Sequence, residues 1–213
     1  DFTGGKKAKV ITSFSMFYDL EDPLDFAMDI EKVLDDQGIW VFEQSYLPSM
    51  IQTNSFDTIC HEHLEFYSLK QIMFIAKNAG LKILDVELND INGGSFSVTA
   101  AKKDSSHKVN ELLITNMLEK ESLMGLDDTQ VFTNFFKRVE IQKNKLIKFL
   151  EDAKKAGKST YGLGASTKGN VLLQYYGISE DLFNRGLCLP SGSNMDDKDL
   201  KRVVNNIKSL YEN

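Results

Sequence analysis

His61, Glu62 and His63 gather two of the chain's three histidines and a carboxylate into one three-residue knot. Histidine ordinarily titrates near neutrality, so a close pair lets one imidazole take a proton from a substrate while its neighbours fix orientation and charge. His63 is the preferred base, Glu62 is suited to orient a partner or meet a cationic group, and His61 completes the set. Adjacent residues on extended backbone point to opposite faces, so a structural role, in which these side chains bond neighbouring loops, stands beside the catalytic one. No metal is expected, since the spacing is not that of a helical His-Glu-x-x-His pair and no third ligand is close in sequence. Cys60 beside His61 raises a thiol nucleophile, but nothing supplies an acyl-transfer apparatus, and a packed cysteine is the expectation.

A second group of residues could meet a ligand. Gly162, Gly164, Ser166, Thr167, Lys168 and Gly169, followed by Asn170, combine small residues that expose backbone N–H groups with one positive charge, which suits a phosphate. The pattern matches neither G-x-G-x-x-G nor G-x-x-x-x-G-K-[ST], so a plain turn letting strand and helix approach stands equally. Asn92-Gly93-Gly94-Ser95 reads first as a turn and second as a polar ligand contact. Tyr46 and Tyr67 either reach substrate or close the rim of the core.

The elements that must position these groups alternate. Lys9 to Phe14 reads as a buried strand, and Asp22-Pro23 caps a helix with Phe26, Ala27, Ile30, Val33 and Leu34 inward, stopped by Gly38. Ile39 to Phe42 is the next strand, giving the strand, helix, strand order of a doubly wound sheet whose ligands bind beyond the strand ends, where Glu43 to Pro48 and the histidine knot follow. Ser68 caps a helix through Ile72, Ile75 and Ala76, Gly80 ends it, and Leu81 to Val86 and Ser95 to Ala100 form a hairpin at the sheet edge. Two helical patterns come next, one from Val109 to Leu123. The longer one places Val131, Phe132, Phe135, Phe136, Val139, Leu146, Ile147, Leu150 and Ala153 inward as a link between lobes, with Lys143, Lys145 and Lys148 on its solvated face. A strand at Ser159 to Leu163, a helix at Val171 to Tyr176 and a final helix capped near Asn194 and Asp197 complete the pattern.

At 213 residues, with a formal charge of -6 and 42% apolar residues, the chain has the makings of soluble α/β structure. Its 25 basic residues are spread among 31 acidic ones, which argues against a nucleic-acid partner. Cys60 and Cys188 make no disulfide framework, favouring a reducing, cytoplasmic setting, and no apolar run is long enough to span a membrane. The opening Asp1-Phe2, without an initiating methionine, gives the expectation of a fragment.

The stretch FEQSYLPSMIQTNSFDTICHEHLEFYSLKQI, with INGGSFSV and YGLGASTKGNVLLQYYGI, closely resembles the sugar C-methyltransferase family that uses S-adenosylmethionine and often acts on nucleotide-linked keto-sugars, over roughly residues 8 to 178. The resemblance implies that His63 is the base that deprotonates the carbon beside a ketone, that the resulting carbanion takes the methyl group, and that Glu62 and neighbouring polar groups bind substrate or stabilise charge. It puts Ser13, Phe14 and Ser15 at the methyl-donor pocket, and Gly164 to Asn170, with Lys168, in a C-terminal lobe that binds the nucleotide sugar. Cys60 occupies a position where the family often has tyrosine. The family's glycine-rich donor loop, the acidic residue that receives the donor's ribose and the cysteine-bearing zinc module all belong to sequence preceding the stretch matched here. LFNRGLCLPSGSNMDDKDLKRVVNNIKSL resembles instead the tail of PLP-dependent sugar aminotransferases, over about residues 182 to 210.

The expected architecture is therefore a partial Rossmann-like methyltransferase sheet over residues 1–105, a helical linker over 106–156 and a truncated nucleotide-sugar lobe with an aminotransferase-like tail over 157–213. The expected activity is C-methyl transfer to a nucleotide-linked keto-sugar, completed by an upstream segment. The alternative is an inactive nucleotide-sugar-binding or assembly remnant. Self-association is a further possibility.

Overall fold

The computed structural model describes residues 5–160 and 167–178, with Lys198, Lys201 and Asn205. The chain divides into two compact units, Asp1–Val139 and Glu140–Asn213. The first holds a four-stranded sheet formed by β1 (Ala8–Phe14), β2 (Leu34–Ser45), β3 (Leu81–Asn89) and β4 (Ser95–Lys102), in the order β1-β2-β4-β3. β1 and β2 run parallel, and β4 is antiparallel to both its neighbours, so the sheet is mixed. The strands expected as an edge hairpin do pair at the sheet edge, with β3 outermost and β4 inside it, hydrogen-bonded to β2.

α1 (Pro23–Val33) starts as expected: the Asp22 carboxylate accepts the Asp25 N–H at 2.9 Å, and Pro23 needs no intrahelical partner. It ends earlier than the glycine suggested. Val33 is exposed, and the fully buried Leu34 already belongs to β2. Gly38 is a strand residue, not a helix stop: a Cβ there would lie 2.7 Å from the Ala8 carbonyl oxygen, so its absence lets β1 come alongside.

α3 (Leu69–Asn78), with α1, covers one face of the sheet. Its capping box is complete: Ser68 takes the N–H of Gln71, and the Gln71 side chain takes the N–H of Ser68. Trp40 and Phe42 stack at 4.1 Å, Phe17 fills the space above them, and Ala27, Ile30, Ile72 and Ala76 close the core. Two helices follow, α4 (Glu111–Met124) and α5 (Thr129–Lys155). The inward stripe expected along α5 is only partly covered: Phe135 and Val139 are buried, while Phe136 and Leu146 are 56% and 38% exposed.

In the second unit, α6 (Thr167–Tyr176) starts earlier than the expected Val171, so Lys168 and Asn170 are helical. The Tyr175 hydroxyl donates to Glu140, which with burial pushes that phenol up to about 12, and the Lys143 ammonium sits 4.4 Å from the Tyr175 ring centroid. Gly164 and Ser166, most of the strand expected at Ser159 to Leu163, Cys188 and the inward side chains of the final helix lie outside the described residues. So does the tail over about residues 182 to 210, apart from three isolated helical positions.

Candidate active site

β1 and β2, the parallel pair, end together, and a long excursion from Tyr46 to Tyr67 rises beyond them. α2 (Leu47–Thr53) opens the excursion, and a bridge between Tyr46 and Tyr67 closes it, with the Leu47 N–H donating to the Tyr67 carbonyl at 2.9 Å. The histidine knot therefore hangs from both ends on the sheet. The Asn92-Gly93-Gly94 turn forms its seat: a Cβ on Gly94 would fall 2.4 Å from the Ser49 side chain and one on Gly93 2.2 Å from Ser55, and both glycines have positive φ. Asn92 itself is exposed at the tip, also with positive φ.

The three knot residues do not converge. His61 and Glu62 are exposed, with 3.9 Å between the His61 Nε2 and a Glu62 oxygen. His63 alone turns inward and is half-buried. Its Nδ1 lies 2.7 Å from the carbonyl oxygen of Thr58. A carbonyl can only accept, so Nδ1 carries a proton, and in the neutral ring Nε2 then keeps its lone pair, the tautomer a general base requires. The imidazole lies against the Tyr18 ring, centroids 4.3 Å apart. The Tyr18 carbonyl accepts from the Leu64 and Glu65 N–H groups at 2.9 and 3.2 Å, pinning the chain immediately after His63.

Charge around His63 is set by the short turn Phe17–Asp19 that follows β1. Burial raises the Asp19 carboxyl; the charge on His63 works against that rise, and Glu62 adds to it. Burial also raises the Tyr18 phenol, opposed by a hydrogen bond with Ser15 and reinforced by Asp19 and Cys60. Asp19, His63 and Glu62 thus share one electrostatic neighbourhood. Cys60 is a half-buried free thiol.

The other sequence-nominated residues divide. Ser13 accepts the indole N–H of Trp40 at 2.9 Å, and Ser15, at φ 53°, donates its N–H to the Glu43 carbonyl at 2.8 Å, so both fix the end of β1. Phe14 between them is 55% exposed and presents its ring beside the strand end. Tyr46 is buried, with its hydroxyl donating to Glu121 at 2.7 Å; burial first, then Glu121, holds this phenol far above its ordinary range. Tyr67 is buried against Phe17, and its hydroxyl has no hydrogen-bond partner among the described residues. Burial raises it as well. Lys168 is half-buried on α6. Ser13, Phe14, Ser15, Tyr46, Tyr67 and His63 all belong to the first unit, whereas Lys168 and Asn170 belong to the second.

Sequence reasoning missed Tyr18, Thr58 and Glu121. For Glu121 a signal existed: it continues the buried stripe of Ile114 and Met117 on α4, where an acid needs donors. Tyr18 and Thr58 are ordinary in sequence and become important only through the fold. An open cleft of about 810 Å3, lined by residues including Glu31, Asp36, Lys102 and Ser105, lies at the opposite end of the sheet and shares no residue with this cluster.

Among the described residues no cluster of three or more His, Cys, Asp or Glu could hold a metal ion, and no helix is long and apolar enough to cross a membrane.

Residues 90–185 match the family described as the C-methyltransferase C-terminal domain. Over 171 residues, 80% of this chain, the sequence is 29% identical to C-methyltransferase NovU of Streptomyces niveus, and it spans 40% of that relative's length. Likeness to solved structures is partial. LepI in complex with SAM has a TM-score of 0.40 at 14% identity, covering 46% of this chain and 27% of that one. The CcbJ methyltransferase from Streptomyces caelestis has a TM-score of 0.35 at 10% identity, covering 46% and 59%. The mixed sheet is of the Rossmann-like α/β class, and over these segments the sequence is similar to C-methyltransferases.

Proposed function

We propose that this chain carries the proton-abstracting site of a C-methyltransferase acting on a nucleotide-linked keto-sugar, with His63 as the base. The observation that carries the reading is the Nδ1 contact to the Thr58 carbonyl, which leaves Nε2 free to accept a proton. S-adenosylmethionine, when bound, supplies a methyl group made electrophilic by its sulfonium. Phe14 fits such a donor, because an exposed aromatic ring at the end of a parallel strand suits an adenine face; Ser13 and Ser15 act behind it by holding the strand end.

Nε2 of His63 takes a proton from the carbon beside the sugar ketone, leaving an enolate whose carbon is the nucleophile. Tyr18 keeps the imidazole in place, and the nearby Asp19 carboxylate offsets the positive charge His63 acquires. Glu62 and His61, exposed at the mouth, meet the polar sugar. Tyr67 brings an unpartnered hydroxyl to the base of the excursion, Tyr46 supports it through Glu121, and Asn92 borders it. By resemblance, nucleotide recognition is proposed for Gly164, Ser166, Lys168 and Asn170. A soluble cytoplasmic enzyme, alone or self-associated, is the setting.

The test is transfer of an isotopically labelled methyl group from S-adenosylmethionine to a panel of nucleotide-linked keto-sugars, followed by mass spectrometry. A carbon-bound label supports the reading, and a label on oxygen or nitrogen overturns it. A second reading, a nucleotide-sugar-binding or assembly remnant, would be marked by saturable sugar-nucleotide binding with no transfer.

A further inference from the structure

We propose that Glu121 is the positioning residue for His63, a buried carboxylate on α4 that clasps both ends of the Tyr46–Tyr67 excursion and so fixes the base; this rests on the reading of His63 as that base. Glu121 is only 4% exposed. Its Oε1 accepts the Tyr46 hydroxyl at 2.7 Å and the Leu69 N–H at 2.6 Å, and its Oε2 accepts the Lys70 N–H at 3.1 Å. Tyr46 is where the chain leaves β2 for the excursion. Leu69 and Lys70 are the first residues of α3, where the chain has just returned. One side chain therefore holds the exit and the re-entry, and the positive end of α3 favours its negative charge.

The clasp reaches the imidazole through continuous contacts. The Met50 N–H donates to the Tyr46 carbonyl at 3.0 Å along α2, and the buried Thr58 hydroxyl lies 3.2 Å from the Met50 sulfur and 3.1 Å from the Ser55 carbonyl. The Thr58 carbonyl then receives Nδ1 of His63. From the other side, Arg138 of α5 donates to the Ile51 carbonyl at 2.6 Å and steadies α2. Glu121 lies within the segment matching the C-methyltransferase C-terminal domain, whereas His63 lies outside it. That segment thus reaches into the base-bearing excursion by a specific polar contact.

Three donors converge on an acceptor-only group. An amide would turn its own N–H groups toward at least one of them, so Glu121→Gln loosens the clasp with little change of volume. Tyr46→Phe removes one leg and leaves the helix cap intact, which keeps the test open if the first variant does not fold. Lys70→Ala, which breaks only the exposed pair with Asp127, is the control.

Two readouts are needed, both independent of turnover. In either clasp variant, amides of residues 54–66 should exchange with solvent about tenfold faster or more, the scale of one lost charge-assisted hydrogen bond, while those of Trp40, Phe42 and Val98 stay unchanged. The imidazole nitrogen signature of His63 should lose its fixed Nδ1-protonated tautomer in the same variants and keep it in Lys70→Ala. Unchanged exchange and tautomer, or exchange rising uniformly across the sheet, overturns the proposal. A failure of His63 as base would appear separately, as a clasp that behaves as described around a residue whose replacement leaves chemistry intact.

Discussion

One face of the sheet is closed and the other is graded. On the closed face Trp40, Phe42, Phe96, Val98 and Ala100 lie under α1, α3 and the Phe17 turn, and all are essentially inaccessible. On the other, the pairing register aligns Val10 with Ile39 and Ala101, then Thr12 with Val41 and Thr99, then Phe14 with Glu43 and Ser97. Its β3 side continues through Lys82, Asp85 and Glu87. Apolar character falls from β1 toward β3, and Val10 remains 60% exposed. The difference teaches where this fold keeps its stability and where it holds the proposed site: the closed face anchors the strands, and His63 is mounted beyond their ends.

Replacing Trp40 with alanine should cost the most, about 3 to 5 kcal/mol, because it removes the stacked ring at the centre of the closed face. Chemical denaturation measures it, and a loss under 1 kcal/mol would mean that the two faces are equivalent. Gly94→Ala should cost about 1 to 3 kcal/mol, through its φ of 124° and the Ser49 side chain in the way. Its signature should be enhanced proteolysis within α2 and the histidine knot. Phe14→Ser or Val10→Thr on the graded face should alter stability by no more than about 0.5 kcal/mol. A larger loss would show that β1 is more deeply packed than its exposure indicates.

The smallest effect concerns Asp19. Burial raises its carboxyl in the folded chain, so the folded state binds that proton more tightly than the unfolded state. Ionisation therefore works against folding, and Asp19 favours the fold increasingly as pH falls through the carboxyl range. Asp19→Asn should be as stable as the parent or slightly more so at neutral pH, with the difference vanishing on acidification. Melting temperature against pH checks the sign; a variant less stable at neutral pH contradicts it.

Much of this was legible in the sequence because apolar periodicity and caps are local signals. Asp22-Pro23, Ser68, Gly80 and the Asn92-Gly93-Gly94 turn mark real boundaries, and His63 was singled out by its type. Gly38 misled, since a glycine demanded by close approach of another strand looks the same as one that ends a helix. The α5 stripe misled because periodicity tells which residues share a face, not whether anything covers it. Tyr18, Thr58 and Glu121 act on His63 from 45, 5 and 58 positions away, through a ring contact, a carbonyl and a buried clasp that only the folded chain assembles. The roles of His61 and Glu62 could not be separated from His63 by spacing, yet the fold turns only His63 inward.

The most direct test of the central claim is deuterium incorporation from heavy water at the carbon beside the ketone of a nucleotide-linked keto-sugar, in parent and His63→Gln chains without methyl donor. Exchange catalysed by the parent and reduced by about 100-fold or more in the variant, with sugar-nucleotide affinity retained, is the predicted result. Equal exchange in both chains would contradict His63 as the base.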